Sequence, residues 1–343
     1  AHDFEGIVQR RAVQRHGVTE DRRFRRQRIA RDFDHDPAKL IVIGDTAKDL
    51  RAAQTVGART ILVRTGQGER TLADNPTVEH YSDLAHATDA LLQREPGRLH
   101  RILGSLAHNV GYMIALAVFG SLCSLFSILP WGRLGLEFFA RSYARVFYAL
   151  LRPTVRLGMR LEGRENLPPG PCVLYLKHSS TWDSFLPFIL VRHPAFVCKR
   201  EVLWIPLVGW PLARLGAVGI NRLSHHRAID QVRTQGKRLL HRGRTLAIFP
   251  EGHRMPPGKS RRYGLSGALL ARDCNVPIVP IAINAGDFWP RRALLKRPGT
   301  VRVIIGPPIS PGNRGPEAIN LEAKKWIEDT MRNISIGYQA NIR

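Results

Sequence analysis

Apolar residues are unevenly spaced along this chain, and the changes in spacing divide it into four stretches. Residues 1–37 carry nine arginines between Arg10 and Arg31 and few apolar positions. With no apolar face to bury, this basic arm is expected to have little fold of its own. Residues 38–95 change character: KLIVIG (39–44) is an apolar run, DTAKDLRAAQTVG (45–57) an acidic-capped helical stretch, and ARTILVRTG (58–66) a second apolar run closing on a glycine turn. That order predicts strand, helix, strand, the material of a parallel sheet.

Residues 96–160 are patterned for a lipid boundary. Val110 to Leu129 contains no charged side chain over twenty residues, close to what a helix needs to cross a hydrocarbon core of about 30 Å. Arg94, Arg98 and Arg101 precede it and Arg133, Arg141 and Arg145 follow, so positive charge does not orient it. A full span, a re-entrant insertion and a buried core helix all remain open. Beyond it, Arg141, Arg145, Arg152 and Arg156 share one helical face, with Phe139, Val146, Phe147 and Leu150 largely off that stripe. Such a helix is expected to lie among lipid headgroups, broken or bent at Pro153.

Residues 161–343 alternate strand-like runs (PCVLYLK, TLAIFP, PIVPIAI, TVRVIIG) with helical ones (AIDQVRTQGKRLLHRG, GLSGALLARDCN, AINLEAKKWIEDTMRNI). The runs are continuous rather than alternating, as in strands buried on both faces. The expected fold class is α/β: a mixed, mostly parallel sheet flanked by helices. A membrane-associated helical segment and a truncated α/β fragment precede it.

A formal charge of +24 calls for a polyanionic partner, either nucleic acid or an anionic bilayer. The uncharged run favours the phospholipid membrane. Nucleic acid is disfavoured, because the basic arm has neither interleaved aromatics nor zinc-ligand spacing. The four cysteines (123, 172, 198, 274) form no C-x-x-C pair, which argues against a thiolate zinc site and for a reducing compartment. No secretory signal is recognisable, and a first residue of Ala leaves the true start open.

Two carboxylates, Asp45 and Asp49, stand where the first strand meets its helix, placed for Mg²⁺ beside a phosphate or for simple helix capping. A histidine five residues before an aspartate occurs three times: His16/Asp21, His178/Asp183 and His225/Asp230. The first lies in the arm, and the third enters a helix on which a five-residue step separates side chains by about 140°. His178 instead leaves the strand VLYLK, and Asp183 opens the next helix after the capping residues SST (179–181). Across that corner Asp183 can fix the tautomer of His178, whose other nitrogen then takes a proton from a hydroxyl. Ser179, Ser180 and Thr181 are alternative nucleophiles but suit capping better. Arg222 ends GINR, and TLAIFPEGHR drives a strand into Glu251, Gly252, His253 and Arg254. Two arginines at the carboxyl edge of a sheet suit a phosphomonoester. Val276, Pro277 and Pro280 belong either to a channel wall or to a sheet edge.

Together these motifs resemble the glycerolipid acyltransferase family, most closely its 1-acylglycerol-3-phosphate acyltransferases, over roughly residues 161–311. HSSTWD (178–183) is similar to its HxxxxD motif, GAVGINR (216–222) to its second and FPEGHR (249–254) to its third. VPIVP (276–280) resembles the fourth, KREVLWIPLVGW (199–210) the intervening segment and GPPIS (306–310) the closing strand. The one departure is His253, where the family usually has Thr. The resemblance implies His178 as general base and Asp183 as its partner, with Arg222, Glu251, Gly252 and Arg254 at the acceptor or its phosphate. It implies acyl-CoA or acyl carrier protein as co-substrate, a lysophospholipid acceptor, no cofactor, and oxyanion donors from backbone N–H groups near Gly252 or after Ser180. The implied location is the bacterial inner membrane, catalytic segment on the cytoplasmic side. IGDTAKDLRAAQTVGARTILVRTG resembles the end of a haloacid-dehalogenase-type phosphatase, about its last third. Its nucleophile strand is missing, since DFDHD (32–36) follows no apolar run, so Asp45 and Asp49 are expected to be vestigial. The competing readings are another lysolipid acceptor, a working Mg²⁺ phosphatase, and a non-enzymatic basic tether.

Overall fold

The computed structural model describes residues 41–55, 57–92, 98–129, 132–221 and 225–340. The arginine-rich arm, the DFDHD run, His16/Asp21 and Arg222 therefore lie outside the described residues. The chain divides into two compact units with the boundary after Thr88.

In the first unit, β1 (Ile41–Gly44), β2 (Arg59–Val63) and β3 (His80–Tyr81) form a parallel three-stranded sheet in that order. The connections are α1 (Ala47–Gln54) and α2 (Gly68–Asp74), with α3 (Leu84–Leu92) following. Leu50, Ala53, Ile61 and Leu62 are buried against one another's layer, as a strand–helix–strand unit requires. Thr46, rather than Asp45, caps α1. Its hydroxyl accepts from the Asp49 backbone N–H, and the Asp49 carboxylate accepts from Thr46 in return, a capping box.

In the second unit the sheet order is β4-β10-β9-β5-β8-β6-β7. The strands are β4 (Leu157–Glu162), β5 (Val173–Leu176), β6 (Pro194–Lys199), β7 (Val218–Ile220), β8 (Thr245–Ile248), β9 (Ile278–Ile283) and β10 (Gly299–Ile305). Only β9 and β10 pair antiparallel, so the sheet is mixed and mostly parallel. The uncharged run of the sequence belongs to a longer helix, α4 (Arg98–Ile128), and α5 (Arg133–Val155) follows it. Two short helices, α6 (Pro187–Leu190) and α7 (Gly209–Arg214), lie in the connections on either side of β6. Leu174 and Leu176 of β5 face one apolar layer, Val173 and Tyr175 the other. The layer on Leu174 includes Phe147 and Leu151 of α5. The opposite layer draws on α8 (His225–His241), α9 (Ser266–Cys274) and α10 (Pro316–Ile334). Strands covered on both faces need apolar residues at every position, which is why these runs show no alternation. Pro280 corrects one expectation. It lies in β9, an interior strand, pairs with Tyr175 and accepts from the Gly306 N–H, so it marks no sheet edge.

By length and composition α4 is the one described helix able to cross a membrane. One side, with Ser105, His108, Ala115 and Cys123, is buried on the same unit, while Leu99, Leu103, Leu106, Val110, Ile114 and Val118 form an exposed stripe. A Cβ on Gly104 would collide with the Thr154 carbonyl oxygen, so glycine sets the close approach of α4 to α5. One face of α5, with Ala140, Ala144, Phe147 and Leu151, is buried on protein, while Leu134, Phe138, Arg145, Arg152 and Arg156 are exposed. Arg141 donates to the carbonyls of Phe188 (3.3 Å) and Val191 (2.9 Å). Pro153 sits in the last turn, and the helix ends at Arg156, φ +54°.

Candidate active site

The chain leaves β5 at Leu176, turns through Lys177 to Ser180, and enters a 3₁₀ turn, Trp182–Phe185. Asp183 is fully buried, and one of its oxygens organises the corner. Oδ2 accepts the backbone N–H groups of Ser179 (2.7 Å) and Ser180 (2.8 Å) and faces His178 Nδ1 at 3.3 Å. Those bonds hold the carboxylate in place and leave Nε2 as the nitrogen able to meet a hydroxyl. The imidazole stacks on Phe249, with centroids 3.9 Å apart. Tyr148 of α5 donates to the Trp182 carbonyl (2.9 Å), bracing the turn from behind. The serine hydroxyls serve backbone: Ser180 Oγ accepts from Trp182 N–H (3.2 Å) and Ser179 Oγ from Gly286 N–H (3.1 Å). Neither is placed as a nucleophile.

Glu251 sits behind this corner. One oxygen receives Lys177 Nζ at 2.7 Å; the other accepts the His178 backbone N–H at 3.3 Å. Lys177 also reaches Glu328 of α10 (3.0 Å) and the Lys259 carbonyl (3.2 Å), and Tyr338 and Tyr263 donate to Glu328. The lysine and the Glu251 carboxylate are both essentially inaccessible. Burial pushes the Glu251 carboxyl up against the pull of Lys177. At Glu328 burial acts the same way but is outweighed by Lys177 and the Tyr338 hydroxyl, which hold that group down. Both Glu251 oxygens are thus engaged by the chain itself, one by Lys177 and one by the main chain of His178. Gly252 turns the chain at φ +72° and donates its N–H to the Phe249 carbonyl. With Trp182 N–H also engaged, two of the expected oxyanion donors are occupied.

Arg254 is half-buried and, among the described residues, makes no hydrogen bond or ion pair. Burial draws its guanidinium below the usual value, with Arg291 adding to this and Asp183 and Tyr112 opposing. A desolvated cation beside Asp183 is well suited to an anion. β7 ends at Ile220, two residues before Arg222. His253 is exposed, Val276 and Pro277 are half-buried before β9, and Pro280 is buried inside the sheet. His225 and Asp230 both fall within α8, as their spacing predicts.

Sequence reasoning missed Lys177, Glu328, Tyr338, Tyr148 and Phe249. A lysine closing the wholly apolar run VLYL was the one available signal, since a buried lysine requires a partner. In the first unit Asp45 Oδ2 accepts Gln67 N–H (3.1 Å), and Asp49 Oδ2 accepts the Thr46 hydroxyl (2.7 Å). Both carboxylates are engaged in chain geometry, and no described group of three His, Cys, Asp or Glu could hold a metal ion. Among the described residues, Asp45 and Asp49 are thus not joined by a third such side chain.

Residues 158–284 match the acyltransferase family model, and residues 10–88 match the HAD-hydrolase-like model. A 1-acyl-sn-glycerol-3-phosphate acyltransferase of Pseudomonas aeruginosa is 37% identical over 211 residues, covering 61% of this chain and 82% of that protein. A chloroplastic one from Arabidopsis thaliana is 30% identical over 178 residues, 50% of this chain and 49% of its own, so the chain spans about half of that relative. The crystal structure of the 1-acyl-sn-glycerophosphate acyltransferase of Thermotoga maritima superposes with a TM-score of 0.59. It is 23% identical and covers 68% of this chain and 96% of the other, a likeness of fold.

Proposed function

The chain belongs to the glycerolipid acyltransferase family, and from that premise we propose that it transfers a fatty acyl group from acyl-CoA or acyl carrier protein to the free hydroxyl of 1-acylglycerol-3-phosphate. The observation that carries this reading is the corner itself: a buried aspartate, fixed by two backbone N–H groups, facing Nδ1 of a histidine stacked on Phe249. Nε2 of His178 removes the hydroxyl proton as that oxygen attacks the thioester carbonyl. The tetrahedral intermediate collapses with departure of the thiolate, which takes the proton back from the imidazolium. Asp183 supports the positive charge that His178 carries between these steps.

Arg254 and Arg222 are the groups we assign to the acceptor phosphate, on their residue type and their positions after β8 and β7. Gly252 supplies the turn that presents Arg254, and Glu251 holds the main chain of His178. We place the catalytic unit on the cytoplasmic side of the bacterial inner membrane. The exposed stripe of α4 supports lipid contact, and four free thiols fit a reducing compartment. Because α4 has one face held by protein, that stripe suits a helix lying against lipid better than an unaccompanied span.

The testing experiment offers the purified chain acyl-CoA or acyl carrier protein with 1-acylglycerol-3-phosphate or with lysolipids lacking the phosphomonoester. The reading predicts the fastest turnover with the phosphomonoester. Equal rates with all acceptors contradict the phosphate assignment, and absence of transfer to every acceptor contradicts the reaction.

A further inference from the structure

Two loops far apart in sequence come to rest on α4, and each carries large apolar side chains that the fold leaves uncovered. The first follows β6 and runs through a 3₁₀ turn, Arg200–Trp204, to α7. Trp204 is 69% exposed and Trp210 63%, with Ile205 exposed between them. This loop seats on α4 at Gly120, where a Cβ would stand 2.8 Å from Leu207 Cβ. The second loop, RRALLKR (291–297), exposes Leu294 (77%) and Leu295. It is bolted to the same helix: Asn109 donates to the Leu294 carbonyl (3.3 Å), and the Lys296 N–H donates to Ser105 Oγ (2.9 Å). The fully buried Lys296 ammonium meets Asn109 Oδ1 at 2.5 Å and lies 4.1 Å from the Trp289 ring centroid.

Asn109 and Gly120 are eleven residues apart on α4, so the loops dock about 17 Å from one another along the helix. Exposed Met113, Ile114 and Val118 occupy the interval. The apolar residues of two separated loops thus adjoin one helix that itself exposes apolar residues, a concentration that an aqueous surface does not favour. Both loops also carry cations near these apolar residues. Lys199 and Arg200 precede Trp204, and the Arg200 guanidinium lies 5.5 Å from its ring centroid. Glu201 is the acid there, paired with Lys199 at 3.7 Å. Arg291, Arg292 and Arg297 are exposed around Leu294 and Leu295, in a loop without an acidic residue. Amphipathic tryptophans and apolar tips collared by cations fit the headgroup boundary of an anionic bilayer.

We propose that the loops at Trp204–Trp210 and Leu294–Leu295 are membrane-inserting wedges. They flank α4 and seat the enzyme on anionic phospholipid. They would fix the rotation of the catalytic unit about α4, which a single helical stripe leaves undefined. The proposal rests on the membrane reading given above, but its test requires no acyl transfer.

The full chain, with α4 unaltered, is mixed with phosphatidylcholine vesicles with and without phosphatidylglycerol, and bound protein is separated by flotation. W204S/W210S and L294S/L295S should each lower partition into the anionic vesicles by about tenfold, and R291S/R292S should abolish most of the preference for phosphatidylglycerol. Binding equal to the parent's in either apolar pair overturns the proposal. The conservative W204F/W210F variant guards against misfolding as the explanation. Brominated lipid should quench the parent's tryptophan emission and leave this variant's largely unquenched; equal quenching in both overturns the insertion. Acyl transfer measured separately in detergent reports on the catalytic reading, so the two can fail independently.

Discussion

At the corner after β5 one carboxylate oxygen holds two backbone N–H groups and the histidine together. Asp183→Asn keeps an acceptor there but removes the charge that offsets a protonated His178. The expected result is a fall in kcat of about 10²–10⁴-fold, with KM for the acceptor little changed; steady-state kinetics against acceptor concentration separate the two. Behind the histidine, Lys177 neutralises parts of two buried carboxylates. Lys177→Met should cost about 3–5 kcal/mol, because it strands Glu251 and Glu328 without a cation, and urea unfolding gives the number. A cost below about 1 kcal/mol would mean that the ion pairs are not formed. The His178 corner was legible in the sequence because its parts lie within six residues and straddle a strand-to-helix change. The Lys177 network was not. Its carboxylates come from positions 74 and 151 residues further along, and no local pattern encodes such a meeting.

At the scale of elements, close approach governs how α4 is held. A side chain at Gly104 must displace the Thr154 carbonyl, so Gly104→Leu should destabilise the second unit by about 1–3 kcal/mol, read by thermal unfolding in detergent. The loop after β9 is tied to the end of α10 through Asp287, which accepts from Ser335 Oγ, Ile336 N–H and Gly337 N–H. Burial outweighs those bonds and pushes its carboxyl up to about 6. The folded protein then holds this proton more tightly than the unfolded chain, whose aspartates titrate near about 4. Its contribution is full below about pH 4 and is lost as pH rises through about 6. Plotted against pH, the stability of the parent minus that of Asp287→Asn should fall across that window and flatten above it; a level difference would refute this. The strands with long apolar runs were predictable, as was the short run before Arg222, whereas β4 and β6 were not. Edge and near-edge strands such as LGMRLE and PAFVCK carry too few consecutive apolar residues to announce themselves. In the arginine stripe of α5, Arg145, Arg152 and Arg156 are exposed, whereas the partners of Arg141 are carbonyls that the chain brings close only when folded.

On the scale of the molecule, the chain folds as two compact units, and the chemistry described here lies in the second. The first keeps a strand–helix–strand unit whose two aspartates serve caps and turns. Removal of residues 1–88 should therefore leave kcat for acyl transfer within about twofold, and the full chain should release no phosphate from sugar phosphates in the presence of Mg²⁺. A phosphatase rate above that of the buffer would contradict this. Whether His178 carries a proton in acyl transfer is measured most directly by comparing transfer by the full chain and by His178→Ala, from acyl-CoA or acyl carrier protein to 1-acylglycerol-3-phosphate in detergent. The expected result is transfer by the parent and a loss of at least about 10³-fold in the variant, with unchanged thermal unfolding. Transfer by the variant at the parent's rate would contradict it.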